Sequence, residues 1–313
     1  MINIDTIITV DLEEAGKCLA NGGLVIFPTE TVYGIGADSY NWKSCQKIYE
    51  VKNRPRDNPF IIHVHDVDTI FKLGYVKTEY EKLIKEFSPG PITYILSSND
   101  PGLFSCNLPT VGLRVPSHKE CIRLLKYSNI PISAPSANIS GKPSITRHID
   151  VVENFYGKVD MIFEASAPEV GIESTVIDLS NEPPLYLRPG EISFDEVQKF
   201  IPGIIRPGEM THSFPKSPGL KYRHYAPDCD VIICETFHEL KIDMNSARIG
   251  FEMEGSSELD FKISSNLEYM KNLYSFLNDC DKEKVKVAYC QVPKNDKYYE
   301  ALMNRLTKAS LKK

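Results

Sequence analysis

Apolar residues switch between two periods through roughly the first 200 positions. Short unbroken apolar runs of the kind a buried strand shows occur at Leu24–Phe27, Phe60–His65, Ile92–Leu96 and Val111–Val115. Between them, apolar residues recur every three or four positions. Trp42, Cys45, Ile48 and Tyr49 mark one helix, and Leu83, Ile84 and Phe87 another that begins near Thr78. Helix starts carry side chains that can accept from unpaired backbone N–H groups. Asp11 precedes Glu13 and Glu14 in a helix that Gly22 can end. Ser117 with Glu120 has the spacing of a reciprocal cap, which Ser193 with Glu196 repeats. This alternation predicts an α/β domain built on one sheet. The connections are too irregular in length to predict an all-parallel one.

The pattern breaks at residues 202–227. Pro202, Pro207, Pro215, Pro218 and Pro227 fall there with Gly203, Gly208 and Gly219, and no apolar period runs through them. That composition predicts an extended linker stiffened by proline. It also carries Lys221, Tyr222, Arg223, His224 and Tyr225 in a row, which suits a segment that lies on something. Beyond it, Val231–Cys234, Ala247–Phe251 and Val285–Cys290 read as strands, with helices near 266–278 and 297–309. The expected division is a domain over 1–201, a linker over 202–228 and a small α/β domain over 229–313.

Composition narrows the function classes. The 313 residues are 42% hydrophobic and 25% charged, ordinary values for a globular chain long enough to bury a large core. A formal net charge of −6 argues against a protein that coats nucleic acid, while leaving room for a local basic site. No apolar stretch approaches the ~20 residues of a membrane span. No basic segment followed by an apolar one opens the chain, so no secretory signal is expected. The eight cysteines are scattered without a Cys-x-x-Cys pair, which predicts reduced thiols in a cytoplasmic protein and no structural zinc.

Candidate chemistry sits near strand ends. KNRPRDNP (Lys52–Pro59) places Lys52, Arg54 and Arg56 in a proline-restricted turn, where alternate cations can converge on a polyanion or form a solvated loop. FPTETVYGIGAD (Phe27–Asp38) brings Thr29 and Thr31 to the end of the first strand, where α/β sheets bind ligands. PISAPSANISGKPS (Pro131–Ser144) is rich in hydroxyls and amides that can meet a phosphate or a purine edge. TVGLRVP (Thr110–Pro116) sets Arg114 inside an apolar strand, so it needs a partner, either a structural carboxylate or that of a substrate. GIESTVIDL (Gly171–Leu179) adds Ser174 and Thr175. His63 reads either as a satisfied core histidine or as a site residue. Separate cations with hydroxyls and amides suit phosphate binding and charge stabilisation better than nucleophilic catalysis.

FPTETVYGIGA, KNRPRDNP, TVGLRVP, SAPSANISGKPS, IESTV and LRPG, in that order, resemble the threonylcarbamoyl-adenylate synthases of the YrdC/Sua type, over about residues 5–200. SPGLKYRHYAP (Ser217–Pro227) is similar to the linker of the family's two-domain branch. The resemblance implies a YrdC-like twisted mixed sheet flanked by helices, plus a small Rossmann-like α/β C-terminal domain. It implies condensation of L-threonine, bicarbonate or CO2, and ATP into threonylcarbamoyl-AMP and pyrophosphate. A partner complex would then transfer the threonylcarbamoyl group to adenosine 37 of tRNA; direct tRNA contact is left open. By the same resemblance Lys52 and Arg54 are catalytic. Nucleotide contacts carry to Arg54, Asn58, Thr110, Ser136, Asn138, Ser144 and Arg188, with Tyr225 lying over the nucleotide as part of a linker lid. Threonine contacts carry to Thr31, His63, Arg114, the Ala134 backbone, and Ser174 or Thr175. Mg²⁺ is expected with ATP, without a dedicated protein ligand set. The competing reading is a double-stranded RNA or tRNA-binding module without adenylation activity, which the acidic net charge disfavours. A carbamoyl-transfer module of the hydrogenase-maturation kind is disfavoured by the absence of Cys-x-x-Cys pairs.

Overall fold

A computed structural model describes residues 4–209, 225–238, 240, 245–253 and 258–311. Its larger sheet has eleven strands and is mixed, as the irregular connections suggested. At one end Ile7–Thr9, Met161–Phe163 and Val25–Pro28 run parallel, and Tyr33–Asp38 turns back antiparallel to the last of these. The middle is Ile132–Ser133, Ile61–His63, Thr110–Arg114 and Ile92–Ser98. Thr175–Asp178 and Leu185–Arg188 close the far end, and Gly74–Tyr75 pairs beside Ile92–Ser98. The parallel register of Ile61–His63 with Thr110–Arg114 sets His63 opposite Arg114. Sequence spacing could not show that pairing.

Local caps account for where the helices begin. Asp11 accepts from the Glu13 and Glu14 amides at the start of Leu12–Ala20, and Ser193 with Glu196 forms the expected reciprocal cap. The cap expected at Ser117 is instead made by His118, whose ring accepts from Cys121 N at the start of Lys119–Ser128. Its other ring nitrogen meets Ser166, so tertiary contact displaced the local hydroxyl cap. The helix expected near Thr78 opens as a 3-10 turn over Thr78–Tyr80 and becomes α-helical over Glu81–Phe87.

The C-terminal unit is a four-stranded, fully parallel sheet in the order Asp230–Cys234, Val287–Gln291, Ser246–Gly250, Phe261–Lys262, with helices Asn266–Lys282 and Tyr299–Ser310. Its core is continuous with the larger unit: Val32, Val170 and Ile172 pack with Tyr269, Met270 and Leu273. Gly171 lies in this seam at φ +87°, where a Cβ would come within 2.4 Å of Lys271 Cα and Met270 O, so backbone approaches backbone there. Around it, Arg147 meets Asp279 at 2.5 Å, Lys282 meets the buried Asp150 at 2.5 Å and Lys142 meets Asp281 at 2.9 Å. The half-exposed Arg147–Asp279 and Lys142–Asp281 pairs contribute at most about 1 kcal/mol each, so apolar burial holds the seam and the charges fix its register. The expected lid residues Lys221, Tyr222, Arg223 and His224 lie outside the described residues. No helix among the described residues is long and apolar enough to cross a membrane.

Candidate active site

A cavity of about 290 Å³ opens where the central strands of the large sheet face the C-terminal unit. Lys52 is the last residue of helix Trp42–Lys52, which ends at Asn53 in the left-handed region. That break turns the lysine inward, and it is only 1% exposed. Its ammonium donates to Ser136 O at 2.5 Å, to Asn138 O, and to Asn138 Oδ1 at 3.4 Å. An ammonium has three donors, so all are directed at this loop. Ser136 Oγ also donates to Asn138 Oδ1 at 2.6 Å, and Asn138 Nδ2 donates to Ile139 O and Lys142 O. Burial, then the neighbouring Arg54, pushes the Lys52 pKa well below its ordinary value.

Arg54 enters the cavity over the Phe60 ring, donating to Asn58 O and Pro59 O. Burial lowers its pKa also. Arg56 does not converge with them. Its side chain is 71% exposed and faces Glu50, because the turn after Asn53 sends it to the opposite side. On the far wall Arg188 donates to Ser174 O at 2.9 Å and to Ser174 Oγ at 3.1 Å, and Ser174 Oγ lies 2.9 Å from Thr93 Oγ1. Gly190 permits this packing, since a Cβ there would sit 2.4 Å from Thr175 N.

At the other end of the cavity Arg114 answers the question raised by its apolar strand. It lies 2.7 Å from Glu30 as an ion pair, donates to Thr31 Oγ1 at 3.0 Å and to Gly90 O at 3.3 Å. The partner is therefore a structural carboxylate. Glu30 Oε1 and Oε2 and Arg114 Nη2 still lack an aligned hydrogen bond, so this buried pair keeps polar capacity for a third group. His63 is buried beside it, with no hydrogen-bond partner for Nδ1. Burial, followed by the Arg114 charge, pulls its pKa down to about 3, so the ring is neutral at physiological pH. Between about pH 3 and pH 6.5 the unfolded chain takes up a proton that the folded site refuses. Stability is therefore expected to rise with pH across that window, by about 1.4 kcal/mol per unit from this group. Urea unfolding at several pH values should show that slope reduced by the same amount in His63→Gln. Equal slopes would mean that the folded ring accepts the proton.

The structure brings together most of the residues singled out from sequence. Lys52, Arg54, Asn58, Ser136, Asn138 and Arg188 share the cavity wall, as do Thr31, His63, Arg114, Ala134 and Ser174. Three do not reach it. Thr110 lies at the outer end of its strand, pairing with Ser97. Thr175 is buried, with its hydroxyl spent on Ile192 O. Ser144 donates to Glu173 Oε1 at 2.5 Å behind the wall. Tyr225 does line the cavity, stacked on Tyr274 with centroids 5.6 Å apart.

Sequence reasoning missed Glu173, Arg305, Tyr274 and Lys308. Glu173 is buried and accepts from Ser144 Oγ, Tyr274 OH at 2.8 Å and Arg305 Nε at 2.9 Å. Burial alone would raise its pKa, but the Arg305 and Arg188 charges outweigh that and hold it below the ordinary carboxylate value. Arg305 also donates to Pro189 O and Glu173 O, which ties the last helix to both segments of the far wall. Arg305 and Lys308 are three apart on a helix whose buried neighbours are Leu302, Leu306 and Ala309. That spacing was readable, but nothing in it said which face met the cavity. Glu173 is the one carboxylate lining the cavity among the described residues, and no metal-binding cluster of His, Cys, Asp or Glu occurs among them.

Two family models match the chain. One, described as telomere recombination, covers residues 17–190, and the other, described as the threonylcarbamoyl-AMP synthase C-terminal domain, covers 192–310. A threonylcarbamoyl-AMP synthase of Pyrococcus abyssi is 39% identical over 95% of this chain and 93% of its own length. One of Bacillus subtilis is 34% identical over 96% and 92%. The crystal structure of P. abyssi Sua5 complexed with L-threonine superposes with a TM-score of 0.88 at 36% identity, covering 97% of this chain and 98% of the other.

Proposed function

Because this chain belongs to the threonylcarbamoyl-AMP synthase family in its two-domain form, we infer that it condenses L-threonine, a one-carbon unit and ATP into threonylcarbamoyl-AMP. The observation that carries this reading is that one cavity holds two chemically different ends. The Lys52–Arg54–Arg188 end is cationic and hydroxyl-lined, suited to phosphates. The Thr31–His63–Arg114 end is small, buried and partly unsatisfied, suited to an amino acid with one hydroxyl. The cations are enclosed in a cavity and do not form an exposed basic face, which favours a small-molecule enzyme over an RNA-binding module.

In this reading the threonine amine takes up CO2, derived from bicarbonate, to give a carbamate. Neutral His63 can orient that group through Nδ1 without competing for the proton. The carbamate oxygen attacks the α-phosphorus of ATP, the bond to the β-phosphate oxygen breaks, and pyrophosphate leaves. Negative charge grows on phosphate oxygens at the end of the cavity lined by Lys52, Arg54 and Arg188. Lys52, its donors held by the Ser136–Asn138 loop, acts there through its charge. All three cations are already in place, so the transition state gains most from them. Mg²⁺ belongs to the ATP substrate. Glu173 is occupied by Arg305 and Tyr274, so the ion's ligands would be phosphate oxygens and water. The product then goes to a tRNA threonylcarbamoyl-transfer complex. The test is pyrophosphate release from the purified protein. It should require ATP, threonine and bicarbonate together. Release with ATP alone, or equal release with glycine, would overturn the assignment.

A further inference from the structure

The last helix, in the C-terminal unit, places a cation in the cavity that the condensation chemistry described above has not yet used. Lys308 lines the same wall as Arg188 and Tyr225, and its Nζ stands 5.7 Å from the centroid of the Tyr225 ring. Arg305, one turn earlier, lies 5.4 Å from the same centroid. Both cations therefore lie close to Tyr225, which rests on Tyr274. Arg305 has its carboxylate in Glu173. Lys308 has no hydrogen bond or ion pair among the described residues, because Glu173 is filled by Ser144, Tyr274 and Arg305. Arg188 and Lys308 thus line the cavity beside one carboxylate, Glu173, which Arg305 holds from behind.

We propose that Lys308 is a substrate-binding residue that contacts the phosphate chain of ATP, so that the C-terminal unit completes the nucleotide site. The inference rests on the nucleotide-condensing reading above. Of the three substrates, only ATP carries several negative charges. The end of the cavity that suits the threonine carboxylate has its own cation, Arg114, paired with Thr31 and Glu30. Lys308 instead stands beside Arg188 and Tyr225 in the cavity lining. A half-buried ammonium among like charges has already lost part of its hydration, and it gains a charge-assisted hydrogen bond when a phosphate arrives. Consistent with this, burial and then Arg305 and Arg188 lower its pKa to about 8, with Glu173 offsetting part of the effect.

The experiment uses the full chain as wild type, Lys308→Met and Lys308→Arg, with folding checked by near-UV circular dichroism. ATP binding is measured by calorimetry with MgATP, and pyrophosphate release is measured with ATP and threonine varied in turn. Lys308→Met should weaken ATP binding and raise the KM for ATP about tenfold, the loss of roughly one charge-assisted hydrogen bond. The KM for threonine should stay within about twofold, and Lys308→Arg should recover most of the loss. From about pH 7 to about pH 9, ATP affinity should fall further in the wild type than in Lys308→Met. Across that range Arg305, its pKa raised despite burial by the charges facing it, stays charged, Glu173, held below the ordinary carboxylate value, stays ionised, and Tyr225, its pKa raised by burial, stays neutral. Lys52 is common to both proteins, so the difference between the profiles belongs to Lys308.

Unchanged ATP affinity in a folded Lys308→Met would overturn the proposal and leave the ammonium as a cap on the Tyr225 ring. A rise confined to the KM for threonine would also overturn it. If the wild type released no pyrophosphate, the condensation reading would fail. The calorimetric comparison would still decide whether Lys308 binds phosphate, since it needs no turnover.

Discussion

Lys52→Met is expected to reduce pyrophosphate release at least about 100-fold, the scale seen when a preorganised electrostatic donor is removed from an active site. Two losses combine at this position. One of the cations at the phosphate end is removed, and the three oxygens that Lys52 holds, on Ser136 and Asn138, lose their shared donor. Ser136 and Asn138 both line the cavity, so the variant removes a charge and loosens the loop that shapes the site. The fold should survive. Lost hydrogen bonds cost about 1–3 kcal/mol, while removing a buried cation with no carboxylate beside it relieves a desolvation penalty. Lys52→Arg should not rescue activity, because a planar fork cannot satisfy three oxygens converging on one nitrogen in a fully buried position. Turnover within about threefold of wild type in a folded Lys52→Met protein would remove this lysine from the mechanism.

The second large effect is on stability. Arg305→Met should destabilise the chain by about 3–5 kcal/mol, because it strands the Glu173 carboxylate in a fully buried setting. The pH dependence should change sign with it. In the wild type the Glu173 pKa is depressed, so its contribution is present above the ordinary carboxylate value of about 4.5 and is lost as the pH falls below that. Without Arg305, burial dominates and raises the pKa. The carboxyl then folds best protonated, and its contribution is lost as the pH rises through the raised value. Adding Glu173→Gln to Arg305→Met should restore part of the lost stability, since a neutral amide carries no buried charge and can accept from one of the Ser144 and Tyr274 hydroxyls while donating to the other. Denaturant midpoints of the two single variants and the double variant from about pH 4 to about pH 8 measure this. Additive losses would show that the pair is not coupled.

These two positions differ in how far the sequence exposed them. Lys52 was visible because it stands in a short, proline-bounded turn with Arg54. Local restriction of the backbone limits where such a side chain can go. Even so, the turn alone did not separate Arg54, which enters the cavity, from Arg56, which leaves it. That depends on Asn53 adopting a left-handed conformation at the end of the helix. Arg114 shows the same limit. An arginine in an apolar strand announces that a partner exists, and only the fold supplies Glu30 from a loop beside it. Ser144 and Thr175 illustrate the converse. Hydroxyls in a promising motif turned out to hold Glu173 and Ile192 O behind the wall; for Thr175, which opens a strand, alternation points it to the face opposite Ser174.

Taken alone, then, the order of short apolar runs, helical spacings and capping residues determined an α/β chain built on one sheet, a second small α/β unit and a phosphate-suited set of loops. These are properties of local backbone preference and of which side must be buried, and both are written in a few consecutive residues. Tertiary structure alone decided that the C-terminal unit packs against the cavity, that Lys308 lines it, and that Arg305 and Tyr274 hold Glu173 from behind. Those contacts join residues more than 100 positions apart in the chain. They are selected by burial and charge compensation across a seam, for which no local pattern exists.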